Sequence, residues 1–198
     1  MTLTSPHPFR LLLGVSLLSS ILSACSPKES ATLDRDELVE TGLAVSDALT
    51  KNLGTQLKAS LQSGNPASAV QFCAQVAEPL TDQTSGDFED VTISRISLDF
   101  RNPANQPDET DVKLLTRWEQ RLREGKPLPS HELVTISESS TRFYRPIRVQ
   151  QLCLTCHGDS SAFTPELTAI LAERYPDDLA TGYQENDLRG AFRVEISK

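Results

Sequence analysis

The run QLCLTCHGD, residues 151–159, places two cysteines and a histidine in the order C-x-x-C-H, as Cys153, Cys156 and His157. Three kinds of site use such an arrangement in proteins: a zinc knuckle, a redox dithiol and a haem attachment site. The compartment in which the chain works helps to distinguish these three kinds of site, because cytosolic thiols are kept reduced whereas exported thiols are exposed to oxidation. The other end of the chain indicates that compartment.

The N-terminus has the order of an export signal. Arg10 precedes an apolar stretch, residues 11–22, and small residues follow it. The stretch is about 12 residues long, which is too short to cross about 30 Å of hydrocarbon as a helix. We therefore predict a signal peptide over residues 1–24 rather than a membrane-spanning helix.

The end of this segment, Leu22-Ser23-Ala24-Cys25, resembles the lipobox of bacterial lipoproteins. Cleavage before Cys25 would expose that residue to acylation, and two or three acyl chains hold a protein firmly on a membrane. We predict lipid attachment at Cys25 and a short tether over residues 25–33. The expected location is the periplasmic side of a bacterial membrane.

The mature chain is predicted to be one acidic domain. Removing residues 1–24 from the 198 leaves 174, which is enough for a single domain with a proper core, over residues 34–198. The 19 basic residues fall to 18 without Arg10, against 27 acidic residues, so the net charge is −9. Because nucleic-acid binding needs a basic surface, this charge argues against it. An acidic surface would suit a basic redox partner.

The cysteine count does not favour a disulfide framework. Lipid attachment uses one of the four cysteines, and an odd number remains. A redox C-x-x-C pair normally opens a helix in a βαβ unit, and the residues around Cys153 do not follow that pattern. Zinc needs four ligands, and no second paired motif is present. The four zinc ligands would have to be Cys153, Cys156 and two of Cys73, His131 and His157.

Attachment of haem c accounts for every residue of the motif. Two thiols three positions apart can bond to the two vinyl groups of a porphyrin, and the histidine after them is then the proximal iron ligand. The export signal sends the chain to a compartment where such attachment occurs. We predict one covalent haem, bonded to Cys153 and Cys156, with its iron coordinated by His157.

The sixth iron ligand can be narrowed by elimination. Methionine is common in c-type cytochromes, but Met1 is the single methionine and leaves with the signal peptide. His7 is lost in the same way. The remaining candidates are Cys73, His131, a lysine, a tyrosine or an open position.

The local patterns around Cys73 and His131 leave this choice open. A helix is predicted to begin at Asn65 and Pro66, an N-cap followed by proline, and Cys73 lies on its apolar side. Such a cysteine is either a ligand or a small core residue. His131 follows two prolines at a predicted strand start, where a histidine is more often on the surface than a ligand.

The rest of the chain predicts an α+β domain. Helices are predicted over residues 34–63, 109–124 and 164–176, strands over 91–98 and 190–196, and a hairpin over 132–149 with its turn at 138–140. The first helix is long, and Gly125 is the expected stop of the 109–124 helix. We expect these helices to lie outside a small antiparallel sheet.

Four pieces of sequence carry a family resemblance: AVQFCAQVA, RISLDFRNPANQPDE, FYRPIRVQQLCLTCHG and YPDDLATGYQENDLRGAFRVEI. In this order they resemble a bacterial family of single-haem c-type proteins with a PAS-like fold, often described as a domain of unknown function. The resemblance covers residues 35–196. It implies a PAS-like antiparallel sheet with flanking helices, and iron ligation by His157 and Cys73. It implies no settled biochemical role.

Haem carries two propionates, which commonly recruit arginine side chains. The candidates for these contacts are Arg95, Arg101, Arg145 and Arg189. All four lie in the segments that carry the resemblance.

These features predict a redox role rather than catalysis. A cysteine thiolate on iron stabilises the ferric state and lowers the reduction potential, and two axial ligands block small substrates. We expect a lipid-anchored electron carrier, not an enzyme, that works with a separate protein partner. The alternative is a redox or gas sensor in which Cys73 leaves the iron and a partner carries the signal. A third class is a module in which the haem is structural.

Overall fold

The structure is a computed structural model that describes residues 1–2, 34–63 and 65–197. Contacts divide the chain into two units, Met1–Ala31 and Thr32–Lys198, and every element below lies in the second. The predicted signal peptide beyond residue 2, the predicted tether and Cys25 lie outside the described residues. Within the described part, no helix combines the length and the apolar character needed to cross a membrane.

Within the described residues, a four-stranded antiparallel sheet forms the centre of the second unit. The strands are Val91–Ile96 (β1), Glu132–Ser137 (β2), Ser140–Arg148 (β3) and Leu188–Ser197 (β4), and their order in space is β1-β4-β3-β2. β2 and β3 form the predicted hairpin, and β4 pairs with both β3 and β1. The predicted α+β class with a small antiparallel sheet is confirmed.

The helices are Arg35–Ser63 (α1), Pro66–Gly86 (α2), Glu109–Arg123 (α3), Leu154–His157 (α4) and Pro165–Arg174 (α5). α2 begins as predicted, because the Asn65 side chain accepts a hydrogen bond from the Ser68 amide at 3.0 Å. Gly125 follows the end of α3 with φ +68°, the left-handed conformation expected of a helix stop. β1 is two residues shorter than predicted, and β4 begins two residues earlier, at Leu188.

The sheet has a hydrophobic core on each face. Phe143 and Tyr144 are neighbours on β3, and both are fully buried on opposite faces because strand residues alternate. Phe143 packs with Val45 and Leu49 of α1, whereas Tyr144 packs with Trp118 of α3. Burying one such side chain contributes about 1.5–3 kcal/mol. Packing therefore fixes α1 and α3 on opposite sides of the sheet.

A buried carboxylate joins α3 to the sheet. Asp111 is fully buried and accepts hydrogen bonds from Tyr144 Oη at 2.7 Å and from Arg193 Nη1 at 2.6 Å. It also accepts from the Asp108 amide at 3.1 Å, as part of a capping box. Removing one partner of such a buried charge network costs about 3–5 kcal/mol.

β4 approaches β1 closely at a glycine. Gly190 has φ +151°, and a Cβ there would lie 2.1 Å from the Ile96 carbonyl oxygen. Only glycine fits this conformation and this space. The preceding residue, Arg189, is held beside Ser97, whose hydroxyl donates to the Arg189 carbonyl oxygen at 2.8 Å. The close approach therefore positions an arginine of the candidate site.

Candidate functional site

A cavity lies among α1, α2, β1 and the C-x-x-C-H segment. Its empty space is about 910 Å³, the open solvent at its mouth included. An adjoining cleft shares Cys73, Arg95, His157 and Arg189 with it. The apolar lining comprises Leu57, Leu61, Ala69, Val70, Ala77 and Leu152.

The C-x-x-C-H motif forms one wall of this cavity. A 3₁₀ turn, Gln151–Cys153, leads directly into α4, and Cys153, Cys156 and His157 all line the cavity. The cysteines of the described part are free thiols. Gly158 follows α4, and a Cβ there would lie 2.6 Å from the Leu154 carbonyl oxygen. The glycine lets the chain turn sharply away directly after the histidine.

His157 is a neutral imidazole with one nitrogen engaged. Its Nδ1 lies 2.7 Å from the Ala180 carbonyl oxygen, and because a carbonyl only accepts, Nδ1 carries the proton. When the ring is neutral, Nε2 keeps the lone pair that a metal ligand needs. Burial is the main cause that lowers the pKa of His157, to about 3, and the charges of Arg189 and Arg101 act in the same direction. The imidazole is thus available for coordination throughout the physiological pH range.

The segment from Ala180 to Tyr183 also holds the backbone of the motif. The Gly182 amide donates to the Gly158 carbonyl oxygen at 2.8 Å, and the Tyr183 amide donates to the His157 carbonyl oxygen at 2.9 Å. The Tyr183 ring meets the imidazole edge-on, with the ring centroids 6.3 Å apart. One loop therefore fixes both the main chain and the side chain of His157.

Cys73 lines the same cavity from α2. The thiol is half-buried, so it lies at a cavity surface rather than inside a fully packed core. Burial is the largest influence on its pKa, which is raised, whereas the charges of Arg95 and Arg101 act to lower it. Nearby cations favour a thiolate when a metal takes the place of the proton. Iron coordination by Cys73 stays a prediction.

Arg95 and Arg189 are two of the three arginines in the described part of the chain that bring positive charge to the cavity. Arg95 Nη2 donates to Glu78 Oε2 at 3.3 Å, but its buried Nε has no hydrogen-bond partner among the described residues. Arg189 Nη1 donates to Ser97 Oγ at 2.7 Å, and the guanidinium lies 5.4 Å from the Tyr183 ring centroid. Burial is the largest influence on the pKa of Arg189, which is lowered. Guanidinium groups that are half-buried in this way favour the binding of an anion.

The other two candidate arginines have different surroundings. Arg101 lines the cavity and also donates to the Cys156 carbonyl oxygen at 2.6 Å. Arg145 does not line the cavity, and its Nη1 donates to Asp47 Oδ1 at 2.5 Å. The structure therefore brings Arg95, Arg101 and Arg189 to the predicted haem motif but leaves Arg145 elsewhere.

His131 also lies away from the cavity. Its ring stacks on Phe143 with the centroids 5.4 Å apart, and its Nδ1 lies 3.2 Å from Ser130 Oγ. The geometry gives no support for His131 as the second iron ligand. In the part of the chain that the structure describes, no three His, Cys, Asp or Glu side chains form a group that could hold a bare metal ion.

Several cavity residues were not predicted from the sequence. Asn102 and Asn105 come from the RNPANQP loop, and Tyr175 follows α5. The loop and Tyr175 belong to segments that carry the family resemblance, which is the signal that could have indicated them. The Ala180 carbonyl is a backbone group, so no residue type marks its role.

A family model described as "Tll0287-like: Tll0287" matches residues 26–197. The crystal structure of the cyanobacterial heme-protein Tll0287 is 22% identical to this chain, covers 84% of it and 98% of its own length, and gives a TM-score of 0.61. At that identity the similarity shows a shared fold alone. No curated protein sequence matches the chain.

Proposed function

Because the chain belongs to the Tll0287-like family, we propose that it is an exported monohaem c-type cytochrome with a low-potential redox or electron-transfer role. The structural relative is itself named a heme-protein, which agrees with this proposal. In the proposal, Cys153 and Cys156 form the thioether bonds. His157 and Cys73 would coordinate the haem iron.

One observation carries the proposal: the motif thiols, a neutral imidazole and a cysteine from another helix line the same cavity. Cys73 and His157 are distant in sequence, and the packing of α2 against α4 places both on the same cavity. The Nδ1–H bond of His157 leaves Nε2 for the iron. A bound haem supplies a one-electron iron couple, and the protein supplies its position and surroundings.

The residues of the cavity fit a haem in polarity and charge. The apolar wall, which includes Leu57, Leu61 and Val70, suits the face of a porphyrin. Propionate oxygens would give the buried Arg95 Nε the acceptor that it lacks among the described residues. A second propionate would offset the desolvation of Arg189.

The proposed ligands favour electron transfer over catalysis. A thiolate stabilises ferric iron because its negative charge offsets the charge of the metal, so the reduction potential is low. Two filled axial positions keep small substrates from the iron, and we therefore propose no enzymatic activity. Cys25 anchors the protein by lipid on the periplasmic side of a membrane, where an acidic surface suits a basic redox partner.

The ferric EPR and absorption spectra of the wild-type protein, beside those of Cys73→Ser, test the axial ligation. We expect a low-spin signal with thiolate character in the wild type and its loss in the variant. His131→Gln is the matched control, because His131 stacks on Phe143 outside the cavity and its replacement should leave the spectra unchanged. Identical spectra for wild type and Cys73→Ser would contradict ligation by Cys73.

The alternative function is a redox or gas sensor, and one feature of α2 favours it. The helix that carries Cys73 contains Pro79, which removes a backbone donor and weakens the helix locally. Loss of the bond from Cys73 to iron would therefore release a helix that is able to bend. A carrier should bind CO slowly or not at all in the ferrous state. Rapid stoichiometric CO binding would favour the sensor.

A further inference from the structure

Arg101 contacts the segment of the proximal histidine at three places. Nη2 donates to the carbonyl oxygens of Cys156 at 2.6 Å and Ala180 at 3.2 Å, and Nε donates to Asp178 Oδ2 at 3.0 Å. The Arg101 side chain is only 10% exposed. The Ala180 carbonyl oxygen is also the acceptor of the His157 Nδ1–H bond, at 2.7 Å.

The Ala180 carbonyl can serve both donors at once, since a carbonyl oxygen has two lone pairs. The turn that carries it is ordered by a further bond, from the Ala180 amide to Asp178 Oδ1 at 2.8 Å. Arg101 bonds to this turn and to the motif at the same time. Because its guanidinium is planar and its donors point in fixed directions, these bonds fix the position of the turn relative to the motif. Rotation of the carbonyl would weaken the bond from Arg101 and the bond from His157 together.

We propose that Arg101 is the positioning residue of His157: it holds the Ala180 carbonyl in the orientation that the Nδ1–H bond requires. The inference rests on the proposed function, because it concerns the strength of His157 as an iron ligand. A hydrogen bond from Nδ1–H makes Nε2 a stronger electron-pair donor to a metal, and losing such a partner lowers metal affinity about 10–100-fold. Stronger electron donation by His157 favours ferric iron. Loss of the Nδ1–H hydrogen bond should therefore raise the reduction potential.

This role is distinct from a propionate contact. A lysine can replace an arginine beside a propionate as a point charge, but a single ammonium group cannot reproduce a planar fork that holds several acceptors. The variant Arg101→Lys therefore keeps the charge near the haem and removes the positioning. A change in the properties of the iron in this variant is the signature of the positioning role.

The test is an optical redox titration of the covalent haem protein together with its ferric EPR spectrum. For Arg101→Lys we expect a higher reduction potential and a broadened low-spin signal, because the imidazole is no longer held in one orientation. Arg148→Lys is the matched control. Arg148 Nε and Nη2 both donate to the Asn186 carbonyl oxygen, at 3.1 and 2.6 Å, and Arg148 does not line the cavity. We expect that variant to match the wild type.

A second variant keeps the test open if Arg101→Lys does not fold, which circular dichroism would show. Asp178→Glu conserves the charge but lengthens the side chain by one methylene, so it displaces the acceptor of Arg101 Nε and the acceptor of the Ala180 amide, the two bonds that orient the Ala180 carbonyl. We expect a smaller rise in potential in the same direction.

Two results would overturn the inference. One is an unchanged or lower potential in Arg101→Lys with a wild-type EPR signal, and the other is an equal change in Arg148→Lys. A wild-type protein that carries no low-spin haem signal would instead overturn the proposed function. The two failures are therefore distinguishable in the same experiment.

Discussion

Replacing Arg95 by methionine should destabilise the haem-bearing protein by about 1.5–3 kcal/mol. With a propionate as acceptor, the buried Nε of Arg95 makes a hydrogen bond to a charged group, which contributes about 1.5–3 kcal/mol. The ion pair with Glu78 adds little, because the two side chains are 22% and 40% exposed and such pairs contribute about 0–1 kcal/mol. Methionine keeps an apolar stem of similar length, so packing is largely retained.

Whether Arg95→Met lowers or raises the free energy of unfolding distinguishes a cavity that binds an anion from one that does not. Without an anion, Nε–H is an unsatisfied buried donor that costs about 1–3 kcal/mol, and its removal would be neutral or stabilising. Thermal unfolding of the ferric protein is a suitable assay, because about 1 kcal/mol shifts Tm by about 2–4 °C in a domain of this size.

Arg145→Met is the matched control, since Arg145 is also a strand arginine in an exposed ion pair, with Asp47. The two side chains of that pair are 32% and 64% exposed, so the pair contributes little. Arg145 Nη1 also donates to Ser46 Oγ at 3.1 Å, a neutral acceptor worth about 0.5–1.5 kcal/mol, so we expect a smaller loss than in Arg95→Met. A neutral or stabilising Arg95→Met, or equal losses in the two variants, would refute the assignment of Arg95 to a bound anion.

Three further predictions concern the fold, its pH dependence and the anchor. Gly190→Ala should abolish stable folding, because its Cβ would lie 2.1 Å from a backbone oxygen at positive φ, whereas Gly86→Ala, which meets nothing within 4 Å, should fold normally by circular dichroism. Burial is the largest influence on the pKa of Glu195 and acts to raise it, but the hydrogen bonds from Arg142 and Ser140, together with the charges of the nearby arginines, outweigh burial and lower the pKa. A carboxyl group whose pKa is lowered in the folded state stabilises the fold at pH values above its unfolded pKa, and this stabilisation is lost as the pH falls. The free energy of unfolding of Glu195→Gln, measured in urea, should therefore depend less steeply on pH below about 5 than that of the wild type. An equal slope in the two proteins would contradict this. Cys25→Ser should move the protein from the membrane fraction to the soluble fraction, and continued membrane association would argue against lipid attachment.

Local patterns were sufficient for most of the fold. The start of α2 was predictable because Asn65 and Pro66 form a cap that acts within one turn. The hairpin was predictable because alternation and a polar turn are also local signals. The early start of β4 at Leu188 was not predictable from local signals. Its pairing with β3 extends to Leu188 only across a register shift between Ile147 and Arg148, and no residue near Leu188 indicates that pairing.

The candidate site was predictable only in part, for a related reason. The C-x-x-C-H run is contiguous, so spacing alone predicted that Cys153, Cys156 and His157 would lie together, as they do in the cavity wall. Arg95 and Arg145 are both strand arginines, and only the packing around the sheet determines which of them lines the cavity. The carbonyl that orients His157 comes from residue 180 and is brought there by the tertiary fold, so no motif could indicate it.

The central claim is that this chain carries one haem, bonded through Cys153 and Cys156. Its most direct test is the intact mass of the denatured protein after expression in a host that attaches haem to exported C-x-x-C-H chains. We predict the mass of the processed chain plus one haem, with no haem extracted into acidified organic solvent, and loss of the added mass in the variant Cys153→Ala, Cys156→Ala. A denatured wild-type chain at its bare polypeptide mass, with the haem released into the solvent, would contradict the account.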